Sequence, residues 1–326
     1  MNQKKDSSFI SFSNISLYYF NTIAHEWNLD CIQLKPGKFS VELTQLVSAN
    51  FQLGHAKFNL ASKQEGVSPE GMWTFAFVDN KKTFWRNYKV KPHSIIIYAP
   101  GSEVNAVSSA GFEVTVFSVS DIYLREIAKK LNIEAFYQAL KKIELLETKS
   151  SLWKGLSQSI LKELSKHKQN STYHTDMGFV KKFSEDLLIV LKDSIISTNK
   201  VSSKKRLKSL HDSEEYILQK ITQSFTVLDI ASSVGVSERT LLYAFNKRFG
   251  IGTKAFIKVL KFNHAYHALH KENNKSTVAL IARSSGFWHM GQFYKDYKKF
   301  FGELPSKTLH TNFLTEAKYQ MNPESV

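Results

Sequence analysis

Between about residues 38 and 120, apolar and polar positions alternate in short runs: FSVELTQLV, FQLGHAKFNLA, MWTFAFV, SIIIYA and FEVTVFSV. A period of two places successive side chains on opposite faces of a strand, and these runs are rich in β-branched and aromatic residues. Many short strands in succession predict an antiparallel barrel or jelly roll, with Pro100-Gly101 turning the chain after SIIIYA. From about 121 the period lengthens to three and four. IYLREIAKKLNI, FYQALKKIELL, LWKGLSQSILKEL and FVKKFSEDLLIVLKDSI predict amphipathic helices. In the last of them, about 177–197, Phe179, Phe183, Leu187, Leu188 and Leu191 form one stripe. Such a stripe packs inside its own domain or against a partner's helix, and periodicity leaves both open.

The segment TNKVSSKKRLKSLH, 198–211, is polar, rich in Ser and Lys, and carries no long apolar stripe. It predicts a linker over 198–210. Helical periodicity resumes and continues to about 312, with a frayed tail expected over 313–326.

This last helical region contains a repeat. Ile230, Ala231, Ser233 and Gly235 recur 51 residues later as Ile281, Ala282, Ser284 and Gly286; Leu241, Phe245, Lys247 and Gly250 recur 52 later as Phe293, Tyr297, Lys299 and Gly302. Each copy reads as a short helix with a small residue for close approach, a Gly turn and a second helix, which is helix-turn-helix grammar. Thr226 and Asp229 are spaced as a capping box, Phe225 and Ile230 as a hydrophobic staple, and Ser237 as the cap of the second helix.

At 100° per residue, Leu241, Ala244 and Phe245 share the inward side of that second helix. Arg239, Tyr243 and Asn246 fall opposite, with Leu242 on the flank. In the second copy Phe293, Tyr297 and Phe300 face inward, Gly291, Lys295 and Lys298 outward, and Gln292 and Tyr294 flank. Each outward face can meet base edges in a major groove. A single copy also reads as an ordinary helical hairpin with a solvated face; two equally spaced copies favour nucleic acid.

Charge sharpens this picture. The net charge is +15: residues 1–197 hold 24 Lys+Arg against 19 Asp+Glu, and residues 198–326 hold 20 against 10. A basic C-terminal part points to a polyanion. A lysine-rich proteome explains the first excess better than it explains the asymmetry. No apolar run approaches the ~20 residues of a membrane span, and no signal-peptide pattern precedes the first strands. A single cysteine, Cys31, fits a reducing compartment and forms no internal disulfide, with a thiol nucleophile or sensor as its alternative. These features predict a cytoplasmic protein with no membrane partner.

The two copies and the segment LKFNHAYHAL between them resemble the DNA-binding domain of the AraC/XylS family of bacterial transcription regulators, over roughly residues 210–310. The carriers are I-A-x-x-x-G with Ser237, Leu241, Phe245 and Phe249-Gly250, then Ile281 to Phe287, Phe293 and F-G-x-x-P from Phe301 to Pro305. Lys261 stands where Arg is common, Thr253 where the first copy often has Pro, and Thr308-Leu309 where the family often closes with Tyr-Arg. The resemblance implies two reading helices entering successive major-groove segments about one duplex turn apart. It implies base-facing roles for Arg239, Leu242, Tyr243, Asn246, Gly291, Gln292 and Lys295, and phosphate contacts for Lys247, Arg248, Lys298 and Lys299. Gly291 brings no side chain where the first copy has Arg239, so the second module is expected to read fewer bases.

The N-terminal half resembles, less specifically, that family's cupin-like effector domain, through VKPHSIIIYAPGSEV at 90–104. His55 and His93 are too far apart for a metal triad, and no G-x-S-x-G, P-loop or G-x-G-x-x-G is present, so neither enzyme chemistry nor a cofactor is expected. Trp73, Phe75, Phe77, Phe84, Trp85 and Tyr98, with Arg86 and Lys89 nearby, predict either plain core or an aromatic pocket for an apolar acid.

The expectation is an α+β chain. Residues 1–197 form an effector-binding or dimerisation domain with a cupin-like barrel over 38–120 and helices over 121–197. An all-α domain of two helix-turn-helix modules occupies 211–312. The expected partners are promoter DNA, RNA polymerase, a small-molecule effector and a second copy of the chain, in an activator that associates with the bacterial nucleoid. The alternative is an architectural nucleic-acid-binding protein without ligand sensing.

Overall fold

The computed structural model describes residues 7–23, 27, 29–78, 83–86, 88–170, 172–194, 204–271 and 276–311. The N-terminal domain opens with β1 (Ser7–Ile15), α1 (Leu17–Ile23) and β2 (Asp30–Gln33), all ahead of the segment where alternation is legible. Next come β3 (Val41–Ser48), β4 (Phe51–Phe58), β5 (Ser62–Val67), β6 (Met72–Val78), β7 (Thr83–Trp85), β8 (Tyr88–Val90), β9 (Ser94–Tyr98), β10 (Glu103–Ser108) and β11 (Phe112–Ser120). The helical part is α2 (Asp121–Lys130), α3 (Glu134–Leu140), α4 (Ser150–Gln169) and α5 (Met177–Ser194), with β12 (Leu145–Glu147) between α3 and α4.

The described strands form two antiparallel sheets, one of seven in the order β1-β3-β4-β11-β6-β9-β12 and one of five in the order β2-β5-β10-β7-β8. No pairing joins the two among the described residues, so the expected closed barrel is instead a pair of facing sheets. The outer face of the large sheet carries Leu53, Trp73, Phe75, Phe77, Ile95 and Phe117 into a core completed by α2–α5. There Phe183, Leu187, Leu188 and Leu191 are buried and Phe179 packs beside them, so the α5 stripe belongs to its own domain. The sheet's inner face, with Ala76, Val78, Ile96 and Tyr98, looks toward the small sheet.

The C-terminal domain comprises α6 (Lys204–Gln219), α7 (Val227–Ser233), α8 (Glu238–Phe249), α9 (Thr253–Lys271), α10 (Val278–Ser284), α11 (Met290–Phe301) and α12 (Pro305–His310). Of the expected linker, 198–203 lies outside the described residues, and 204–210 begins α6. Lys, Arg and Leu are strong helix formers, so this stretch is helical without a long stripe. Leu210 and Ile217 within α6, and Ile221 just after it, are buried and anchor the helix to the domain. The expected tail, 313–326, also lies outside the described residues. One contiguous core runs from the inner faces of the two sheets into α6–α11.

Candidate nucleic-acid interface and ligand cavity

The repeat is realised to the residue. α7 and α10 have bounds 51 apart, and α8 and α11 have bounds 52 apart. Thr226 and Asp229 make the reciprocal capping box, and Thr277 caps α10 by accepting from Leu280 N. Ser237 caps α8 by accepting from Thr240 N, whereas His289 gives α11 no side-chain cap. The turn glycines, Gly235 and Gly286, sit at φ +67° and +78°, in the left-handed region that a Cβ disfavours. Ile230, Ala231, Leu241 and Phe245 are buried, as are Ile281, Ala282, Phe293 and Tyr297. α9, about 28 Å long at 1.5 Å per residue, separates the two modules.

Burial of one helix face leaves the other free. Arg239, Leu242, Tyr243, Asn246 and Lys247 are exposed along α8, Tyr243 at 62%. On and beside α11, Gly291, Gln292, Lys295, Lys298 and Lys299 are exposed. Trp288, 65% exposed in the turn before α11, is a further exposed aromatic beside this helix and was missed by the helical wheel, which began inside the helix. A large apolar ring at the mouth of a reading helix is the sequence signal that marks it.

Arg248 departs from expectation. It is 9% exposed and points away from the reading face, into the N-terminal domain. Its guanidinium donates to the Arg86 carbonyl and to Asn105 Oδ1 at 2.7 Å, and it lies 5.7 Å from the Phe84 ring. Burial lowers its pKa to about 10, so it remains charged at neutral pH. In this arrangement it serves the domain interface and no phosphate. The wheel places it late in α8 but does not reveal what covers that turn.

The same interface is polar and dense. Gln33 N donates to Asn263 Oδ1 at 3.0 Å, and Asn263 Nδ2 returns a bond to the Gln33 carbonyl at 3.0 Å. Gly37 N and Gln33 Nε2 both donate to the Phe300 carbonyl, at 2.9 and 3.0 Å, while Lys35 Nζ donates to the Gly250 carbonyl at 3.0 Å. N-terminal-domain donors therefore satisfy carbonyls at the C-terminal ends of both reading helices, where helix geometry leaves acceptors without intrahelical partners. Lys63 pairs with Glu214 of α6 and with Glu65; these two carboxylates raise the ammonium pKa despite burial.

Between the two sheets lies a cavity of about 340 Å³. Its wall is mainly aliphatic and aromatic, with Phe20 and Ile23 of α1 and Trp27 adding to the strands. Of the six residues expected to form an aromatic pocket, Tyr98 lines it. Trp85 stands behind, its ring 4.5 Å from that of Tyr98. Trp73, Phe75 and Phe77 lie on the opposite face of the large sheet, because strand alternation sends them into the helical core. Arg86 sits in a turn at φ +42°, pairs with Glu144 and donates to the Glu103 carbonyl at 2.9 Å. The expected cation for an apolar acid is thus engaged elsewhere. Cys31 lines the cavity as a thiol whose pKa burial and Asp30 raise, which disfavours the thiolate a nucleophile needs.

Residues 230–311 match the family model described as a helix-turn-helix domain. The chain is similar to a probable thc operon regulatory protein of Rhodococcus erythropolis, 34% identical over 98 residues that make up 30% of each chain. It is also similar to the XylDLEGF operon transcriptional activator 3 of Pseudomonas putida, 33% identical over 96 residues, 29% of each chain. A solved structure of a probable AraC family transcriptional regulator from Rhodopseudomonas palustris CGA009 is 33% identical, with 31% of this chain and 94% of that chain covered and a TM-score of 0.30. The match thus spans about 30% of the length of these curated relatives. The C-terminal domain is therefore a helix-turn-helix domain of the AraC/XylS type.

Proposed function

We propose that this protein is a sequence-specific DNA-binding regulator of transcription, an activator at promoter DNA, whose N-terminal domain senses a small molecule. The observation that carries the reading is the pair of helix-turn-helix modules with equivalent bounds, buried inner faces and exposed outer faces bearing Arg239, Tyr243, Asn246, Gln292 and Lys295. Each reading helix presents side chains able to meet base edges, and late lysines, Lys247, Lys298 and Lys299, able to meet phosphates. The operon-activator names of the similar proteins support the direction of regulation. The cavity between the sheets supports a small-molecule effector. Self-association and contact with RNA polymerase complete the reading, in a protein that works in the bacterial cytoplasm at the nucleoid. No described helix is long and apolar enough to cross a membrane.

Selection of bound duplexes from a random pool by the full chain tests this. The expected product is a directional motif with two half-sites about one helical turn apart, the first more sharply defined than the second. A pool enriched for no base at any position would favour the architectural alternative.

A further inference from the structure

The cavity wall specifies a class of ligand. Among the described residues no Lys, Arg, Asp or Glu lines it. His55 borders it but binds Thr115 Oγ1 through Nδ1 at 3.2 Å and places Nε2 3.4 Å from Glu113; burial lowers its pKa and favours the neutral ring. The polar lining consists of neutral groups, chiefly Ser8, Gln45, Gln64, Thr83 and Tyr98. Gln64 Nε2 is held by Ser62 and Ser108 at 2.9 and 3.2 Å. Thr83 differs: the residue is fully buried, lines the cavity, and its Oγ1 has no hydrogen-bond partner among the described residues. A buried hydroxyl without a partner is costly, and a ligand that bonds to it recovers that cost. An ionised carboxylate would instead shed its water with no cation among the described lining residues to meet it.

We propose that this cavity binds an uncharged, mostly apolar small molecule whose single polar head hydrogen-bonds to Thr83 Oγ1. The inference rests on the proposed sensor role and narrows it, replacing the apolar acid anticipated from sequence. A volume near 340 Å³ is at the small end of ligand pockets and suits a short chain or a single ring system.

Matched probes test the charge directly. The full chain is titrated calorimetrically at pH 7.5 with 1-octanol and 1-decanol, and with octanoate and decanoate. Alcohols are expected to bind, and the carboxylates to bind ~1,000-fold more weakly, because protonating them first costs about three pH units at this pH. Ala76→Leu, which fills the wall, should abolish alcohol binding. Thr83→Val should weaken it by ~3–10-fold while leaving the unliganded melting midpoint unchanged or higher, since the lost hydroxyl had no partner. Carboxylates binding as tightly as alcohols would overturn the ligand class and leave a sensor in place. Thr83→Val binding like wild type would overturn the role of Thr83. If neither series binds, or if Ala76→Leu binds normally, the proposed occupant of this cavity is overturned, while the DNA-binding reading is judged separately by the duplex selection.

Discussion

Arg239 and Gly291 occupy equivalent positions, 52 residues apart, on the exposed faces of α8 and α11. One carries a fork of donors suited to guanine and the other carries nothing. Arg239→Ala should cost ~1–3 kcal/mol of site affinity and relax preference at one base pair, as read by competition against single-base variants of the selected site. Lys299→Ala should weaken every sequence alike and reduce the salt slope by about one, so a base-selective loss there would contradict its assignment to phosphate. Open space surrounds Gly291, with nothing within 4 Å of a built Cβ, so Gly291→Arg can be accommodated. It should sharpen the second half-site. Arg248 shows the limit of residue-level inference. Its type and place in the helix suit phosphate, yet its partners, Arg86 and Asn105, lie more than 140 positions away.

The elements of the C-terminal domain were the most legible. Buried positions and turn glycines recur at fixed offsets, as does the Thr226 cap at Thr277, because local backbone geometry demands them: a left-handed turn calls for Gly, and an unpaired helix N-terminus calls for an oxygen. Gly286 faces a stricter demand than Gly235. A Cβ there would lie 2.6 Å from Lys261 Nζ and 3.1 Å from the Ile221 carbonyl, whereas nothing stands within 4 Å at Gly235. Both positions strain an L-residue, but Gly286→Ala should destabilise by more than Gly235→Ala, each by more than ~1 kcal/mol in urea unfolding. Equal losses would mean that the lysine moves aside freely. The sheet elements were legible in type but not in arrangement. β1 and β2 precede the alternating segment, β12 has only three residues, and which of MWTFAFV's two faces meets the helices depends on partners elsewhere in the chain.

Across the whole molecule, the small sheet is shared by two compartments. On β10, Val104 and Ala106 line the cavity while Asn105 holds Arg248; on β7, Thr83 lines the cavity while Phe84 lies against Arg248. One strand layer therefore separates the cavity from the reading domain. Asn105→Ala removes one of the acceptors that hold Arg248, leaving the Arg86 carbonyl and the Phe84 ring in place, and should lower the unfolding free energy by ~1–3 kcal/mol in urea titration. An unchanged unfolding free energy would show that this contact does not stabilise the chain.

The interface also holds half-buried imidazoles. His270 stacks on Tyr18 at 4.2 Å, and His267 lies 3.8 Å from Asp30. Burial, aided by His267, lowers the His270 pKa from 6.5 to about 4. His267 is also lowered by burial, with Asp30 opposing and Lys271 and His264 assisting. Between pH 6.5 and about 4 the unfolded chain takes up a proton that folded His270 refuses. Stability should therefore be intact above that window, fall as the pH drops through it, and lose up to about 3 kcal/mol below it. His270→Phe, which keeps the stack, should flatten urea-unfolding free energies over this range; an unaltered slope would assign the effect to other groups.

Sequence by itself determined the two helix-turn-helix units, the caps of the first unit, the turns, the exposed faces of the second helices and the basic character of that domain. Those features arise from local periodicity, backbone conformation and charge, which act over a few residues. Only tertiary structure decided that the sheets stay open, that Trp73, Phe75 and Phe77 serve the helical core, that Arg248 is enclosed, and that the cavity wall is uncharged among the described residues. Each of these depends on which distant segment covers a given face, and neither period nor composition encodes that choice.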